Sequence, residues 1–286
     1  MKRSRPVYWS QATEAAVRER YRAMLDAWRG DQDERRIPTS QGETFVITAG
    51  AAQSPAVVLL PGSMATSAMW LGTMPALADR FRVIAVDLIG DAGFSATSRP
   101  AMKSDAHARW LDDVLDALQV PAASLVGASF GGWLALDYAL RRRGRVERLA
   151  LLAPAGVGRI RPGFMLRTAP LLFLGAWGHR KALGFDMGRA ARGDRPDEVA
   201  FTALFDTVRS GFIARMQAIP VFRDADLRRL DMPLLAVVGD QDLVFDSRET
   251  QARIRAHAKR AEVMMLAGAG HGLIDCTAII RGFLVS

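Results

Sequence analysis

Cysteine and histidine are scarce: among 286 residues there is one cysteine, Cys276, and there are four histidines. One cysteine excludes an intramolecular disulfide, and no cluster of Cys and His has the spacing of a zinc site. No metal and a reducing compartment are therefore expected. Long hydrophobic runs are missing too. The longest strongly apolar stretch, Ala169 to Trp177, is about half of what a bilayer crossing requires, so no membrane span is expected. The basic start, Met1-Lys2-Arg3-Ser4-Arg5-Pro6, leads into a mixture of Glu, Arg and Ala over Gln11 to Arg22 rather than an apolar signal region. The expected location is the cytoplasm.

What is present is ordinary for a folded protein. Half of the residues are hydrophobic and 24% are charged, with 25 Gly and 13 Pro, which excludes disordered and fibrous classes and leaves ample material for a core. The formal net charge is +8. Basic proteins often bind nucleic acid, but there is no zinc finger, no RNP-like aromatic stretch and no run of five basic residues. No nucleic-acid partner is expected; the competing reading, a basic DNA-binding face, would require salt-sensitive binding.

From Thr44 onward short apolar runs alternate with helical patterns. Residues 45–47, 56–60, 83–86, 124–126, 146–152, 234–238 and 263–266 read as strands, several of them continuously apolar as strands buried on both faces must be. Helical spacing occupies residues 71–80, 105–118, 130–143, 247–259 and 273–284. This alternation predicts an α/β fold with a mostly parallel sheet flanked by helices. The rhythm breaks between Ala155 and Leu230. A structureless loop of that length would be exceptional, so residues 156–230 are expected to form a helical insertion. This segment carries 13 Lys and Arg against 7 Asp and Glu, six of the chain's eight excess positive charges. Met165, Trp177, Met187 and Met216 are expected to supply its packing. The core is then 43–155 with 231–286, and residues 1–42 form an extension whose helix, Gln11 to Trp28, ends at Gly30-Asp31-Gln32-Asp33.

Chemistry is most legible at Gly127-Ala128-Ser129-Phe130-Gly131, a Gly-x-Ser-x-Gly between a strand and a helix. This is the pattern of a nucleophile elbow, a turn so tight that small residues must flank the serine while its hydroxyl projects from the strand end. A serine hydroxyl needs a base. His107, His179 and His257 read as surface residues, whereas His271, in Gly268-Ala269-Gly270-His271-Gly272, follows the last strand and can return over the sheet edge. The carboxylate that fixes the imidazole tautomer is sought in Gly239-Asp240-Gln241-Asp242. Asp242 is preferred because it lies further past the strand end; Asp240 is expected to brace the turn and Asp246 to cap the next helix. Oxyanion donors are assigned to the backbone N–H of Phe130 and, in Pro61-Gly62-Ser63-Met64, of Ser63. Asp87 and Asp91 sit in a Gly-rich turn read as structural. Cys276 reads as a buried small apolar residue.

With these pieces together, the chain resembles the α/β-hydrolase-fold serine hydrolases and is similar to their bacterial carboxylesterase-type members. The resemblance rests on Leu59-Leu60-Pro61-Gly62 with Trp70, Val86-Asp87-Leu88-Ile89-Gly90 with Gly93 and Ser95, the elbow, Gly239 to Asp242, and Gly270-His271. It implies an eight-stranded-type sheet, a cap inserted after the sixth strand, a Ser-Asp-His triad and no cofactor. The chain departs from most relatives in having Pro61 where they carry His. The function expected is hydrolysis of small carboxylic esters through an acyl-enzyme. Lactone or carbon–carbon bond hydrolysis, perhydrolysis, or a non-catalytic small-ligand receptor on the same fold are the alternatives. Oligomeric state is not legible.

Overall fold

The computed structural model describes residues 6–28, 30, 32–175, 177, 178, 181, 196–213, 215, 217–273 and 276–286. Eight strands form one sheet: β1 Gln32–Ile37, β2 Thr44–Ala49, β3 Ala56–Leu60, β4 Arg82–Val86, β5 Ala123–Ala128, β6 Val146–Leu152, β7 Leu234–Gly239 and β8 Ala261–Leu266. Their spatial order is β1-β2-β4-β3-β5-β6-β7-β8. β1 and β2 run antiparallel to their neighbours, and β3 to β8 are parallel. The continuously apolar runs are the reason. Along β3, Val58 and Leu60 enter the hydrophobic cluster on one face while Val57 and Leu59 enter the cluster on the other, since successive side chains leave a strand on opposite sides.

The helices that cover these faces are α1 Gln11–Ala27, α2 Met74–Ala78, α3 Ala106–Ala117, α4 Phe130–Arg141, α5 Pro162–Leu172, α6 Pro196–Gly211, α7 Asp224–Leu227, α8 Ser247–His257 and α9 Thr277–Val285. The expected helix over 71–80 is shorter, a 3₁₀ turn at Ser67–Trp70 followed by α2. The expected last helix begins later, at Thr277. β1 is a strand where the sequence suggested only the end of a helix. Its residues, Gln-Asp-Glu-Arg-Arg-Ile, carry no apolar alternation because β1 is an edge strand paired only with β2, where charge is tolerated and discourages further pairing.

The N-terminal helix starts at Ser10, whose Oγ accepts the Thr13 N–H at 3.1 Å, as an N-cap should. The segment before it pairs with residues 211–213: the Trp9 N–H donates to the Gly211 carbonyl and the Ile213 N–H to the Val7 carbonyl, each at 2.8 Å. Tyr8 meets Phe212 edge to face. The sequence expectation for the packing of residues 156–230 needs correcting. Met165, on α5, is 48% exposed and Trp177, beyond that helix, 52%; buried Leu204, Phe205 and Val208 on α6, with Phe212 just past its end, supply an apolar face instead. Met187, Met216 and His179 lie outside the described residues.

Candidate active site

β5 delivers Ser129 to the carboxyl edge of the sheet and α4 begins at the next residue. Ser129 has φ 49° and ψ −111°, a left-handed backbone that strains any residue with a Cβ. The turn is held by the Ser129 N–H donating to the Leu152 carbonyl at 2.8 Å and the Ser129 carbonyl accepting from Ala155 at 3.0 Å. Its tightness explains the glycines. A Cβ on Gly127 would collide with the Gly131 carbonyl, and one on Gly131 with the carbonyls of Leu60 and Pro61.

The loops after β7 and β8 bring the other two residues to this serine. His271 Nε2 lies 3.0 Å from Ser129 Oγ, and its Nδ1 lies 2.9 Å from Asp242 Oδ2. A carboxylate facing Nδ1 accepts a hydrogen bond from an N–H there and so fixes the ring proton on Nδ1, which leaves Nε2 as acceptor for the serine O–H. Asp242 is 1% exposed. Its other oxygen accepts from the N–H groups of Val244 at 2.7 Å and Phe245 at 3.0 Å, so the buried carboxylate is fully engaged and its orientation fixed. The competing acids have structural partners: Asp246 caps a helix as expected, whereas Asp240 reaches the loop after β8 rather than the backbone of its own turn. Asp240 accepts the Gly268 N–H at 2.7 Å, and Asp246 caps α8 by accepting from Glu249 at 3.0 Å. A cleft of about 370 Å³ borders Asp242, Leu243 and Gly270 with Arg161 on its rim. A larger concavity of about 560 Å³, between α2 and α9, is lined by none of these residues.

The two residues whose N–H groups are expected to receive an oxyanion belong to segments that meet Ser129. Phe130 is the first residue of α4, so its N–H has no intrahelical acceptor. Ser63 follows Gly62, whose position is 3.5 Å from Ser129 Cβ as measured from a Cβ built on the glycine. The Ser63 loop is braced from below. Asp91 accepts from Ser63 Oγ–H at 3.1 Å and from the N–H groups of Met64 at 2.5 Å and Ala92 at 3.1 Å. Burial pushes the Asp91 carboxyl up from its ordinary value, against the pull of Arg215, these N–H donors and Arg99.

Asp87 is structural in the same sense. It accepts from Tyr21 Oη–H at 3.0 Å and from the N–H groups of Ser67 and Phe94, each at 2.8 Å, tying α1 to the loops beside Ser129. Complete burial still raises its carboxyl to about 6. Cys276 is buried, as expected. Among the described residues no group of three or more His, Cys, Asp or Glu is placed to hold a metal ion.

His107 corrects the sequence reading. It is 3% exposed, edge-on to Phe130 and Trp133 at centroid distances of 6.4 and 5.9 Å. Its burial was legible: His107, Trp110, Leu111 and Val114 share one helical stripe, all four buried. His257, also read as surface, is partly covered and faces Asp224 at 3.3 Å. Arg215, near Asp91 and over the Phe130 ring at 5.1 Å, carried no signal in sequence, because its position follows from how the insertion folds back.

With this geometry in view, the likenesses to known proteins are informative. A family model for the alpha/beta hydrolase fold matches residues 55–181. Carboxylesterase YbfK of Bacillus subtilis (strain 168) is 28% identical over 264 residues, 91% of this chain and 89% of that protein. The crystal structure of carboxylesterase CesB (YbfK) from Bacillus subtilis superimposes with a TM-score of 0.80 at 26% identity, covering 96% of this chain and 98% of that one. A 2-hydroxymuconate semialdehyde hydrolase of Pseudomonas sp. (strain CF600) is 31% identical over 223 residues, 71% of this chain and 75% of the relative. No helix among the described residues is long and apolar enough to cross a membrane. Sheet order, elbow and likeness agree: the chain belongs to the α/β-hydrolase fold family and is a hydrolase of its carboxylesterase-like branch.

Proposed function

We propose that the protein hydrolyses small carboxylic esters through an acyl-enzyme on Ser129. The observation that carries this reading is the unbroken relay from Ser129 Oγ to His271 Nε2 at 3.0 Å and from His271 Nδ1 to Asp242 at 2.9 Å. His271 takes the hydroxyl proton as Oγ attacks the acyl carbon, and Asp242 stabilises the imidazolium without itself being protonated. The N–H groups of Phe130 and Ser63 receive the oxyanion, with Asp91 holding the Ser63 loop in register. The imidazolium then protonates the departing alkoxide. Water, deprotonated by His271, attacks the acyl-enzyme and releases the acid and free Ser129. No step calls for a cofactor. Residues 156–230 act as a cap on a core of residues 43–155 and 231–286, and residues 1–42 as an extension packed on it, in a cytoplasmic protein.

Support for ester substrates comes from the likeness to carboxylesterase YbfK. The test is the turnover of 4-nitrophenyl acetate and butyrate by wild type and Ser129→Ala. Wild type is expected to turn both over, and the variant to lose at least about 10³-fold in kcat/KM while keeping its circular dichroism. Comparable turnover by both proteins would overturn the reading. A second reading, carbon–carbon bond hydrolysis with the same residues, is favoured by the 31% identity to a protein named for 2-hydroxymuconate semialdehyde. It requires Ser129-dependent cleavage of a vinylogous diketone faster than of any ester.

A further inference from the structure

The proposed mechanism uses nothing around the Phe130 ring, yet two side chains meet it there with buried nitrogens that have no hydrogen-bond partner. Neither ring nitrogen of His107 has a hydrogen-bond partner, nor do Nε and Nη1 of Arg215. The Arg215 guanidinium sits 5.1 Å from the centre of the Phe130 ring, while His107 meets the same ring edge-on at 6.4 Å. Only Arg215 Nη2 has an acceptor, the Ile89 carbonyl at a long 3.5 Å. Buried polar groups in folded proteins are almost always paired, and a guanidinium left with N–H bonds unanswered away from water is unfavourable. Such groups persist where a ligand completes them.

The protein's own anion does not complete this one. Asp91 is the acid that acts on Arg215, but its oxygens are engaged by Ser63, Met64 and Ala92. A second cation, Arg99, stands beside the same acid and donates to the carbonyls of Gly90 at 2.8 Å and Ile213 at 2.6 Å. Two guanidinium groups therefore face one carboxylate, leaving an excess positive charge next to the residue whose N–H is assigned to the oxyanion. His107 stays uncharged here: burial first, then Arg215 and Arg141, hold it down at about 4. A neutral imidazole in that position offers one N–H donor and adds no competing charge.

We infer that Arg215, with His107 across the Phe130 ring, forms a subsite for a carboxylate carried on the acyl group of the substrate. This deepens the esterase reading and rests on it. The substrates are then half-esters of dicarboxylic acids: the acyl carbon lies at Ser129 Oγ, and the free carboxylate accepts an N–H bond of Arg215 Nη1. A guanidinium suits this task because it remains charged and presents several donors in one plane. The cation–π contact of its Cζ, 5.1 Å from the Phe130 ring centre, helps to hold the group in place.

The experiment compares mono-4-nitrophenyl glutarate with its methyl-capped diester, which differ only in the free carboxylate. Wild type is expected to favour the acid at least tenfold in kcat/KM, and Arg215→Met to lower that preference to near unity. Equal kcat/KM for the two substrates in wild type, or an unaltered preference in Arg215→Met, would overturn the subsite while leaving Ser129-dependent ester turnover intact. Absence of turnover with either substrate would instead count against the esterase reading. Titration of glutarate into Ser129→Ala protein tests the subsite without turnover. Millimolar or tighter binding that weakens at least tenfold in Ser129→Ala/Arg215→Met supports it, and no binding refutes it. Arg215→Lys, which keeps the charge, serves if the Met variant does not fold; it is expected to retain part of the preference.

Discussion

At the scale of single residues, the site is built from side chains and backbone held in unfavourable states. Ser129 occupies φ 49°, and a residue with a Cβ in such a region costs on the order of 1–3 kcal/mol. Ser129→Gly should therefore unfold at higher urea concentration than Ser129→Ala, by about 1 kcal/mol, although neither turns over ester. Equal stability of the two variants would mean that the elbow is not strained. His107 gives a second prediction. Its value in the folded protein, about 4, lies below the ordinary 6.5 of the unfolded chain. The unfolded state therefore takes up a proton first as pH falls, and the stability that neutral His107 maintains is lost from pH 6.5 down to 4. Relative to His107→Phe, wild type should lose up to about 3 kcal/mol across that window. Asp87, raised to about 6, acts with the opposite sign, since its burial penalty is relieved on protonation, but it is common to both proteins and cancels in the difference. Parallel unfolding profiles for the two proteins between pH 6.5 and 4 would contradict the assignment of His107 as buried and neutral.

At the scale of elements, the elbow is a junction where β5, α4 and the end of β3 approach with no room for a methyl group. Gly131→Ala places a Cβ against the carbonyls of Leu60 and Pro61, neither of which can yield without moving β3, and should cost more than about 2 kcal/mol. Gly144→Ala, with nothing within 4 Å of its Cβ, should stay within about 0.5 kcal/mol of wild type. Urea unfolding of the pair checks both, and a similar cost for each would mean that the packing at the elbow is loose. The same junction explains why so much was legible in the sequence. Gly127, Ser129 and Gly131 are close in sequence, and the buried strands on either side are apolar on both faces, so local pattern alone locates Ser129, Asp242 and His271. β1 was not legible, because an edge strand paired on one side needs no apolar alternation. Nor was the exposure of Met165 on α5 and of Trp177 beyond it, both of which read as packing residues. Arg215 was hidden for a different reason: its unpaired nitrogens are a tertiary fact, fixed by Phe130 and by Ile89 and Asp91 from two distant stretches of chain.

At the scale of the whole molecule, the proposed relay is a product of the entire sheet. Ser129 follows β5, Asp242 follows β7 and His271 follows β8, so the three come together only when those strands pair in one sheet. The N-terminal segment takes part as well. Tyr21 reaches Asp87, and Val7 and Trp9 pair with Ile213 and Gly211, so the N-terminal segment is tied both to the loop after β4 and to the end of α6. A serine becomes reactive toward a phosphonylating reagent only when base and oxyanion donors are assembled around it, which makes that reactivity a readout of the complete fold. The most direct measurement is the intact mass of wild type and Ser129→Ala after treatment with a fluorophosphonate. The account predicts one adduct on wild type, mapped to Ser129 by peptide sequencing, and none on the variant. An unmodified wild type in folded protein, or an equal adduct on Ser129→Ala, would contradict it.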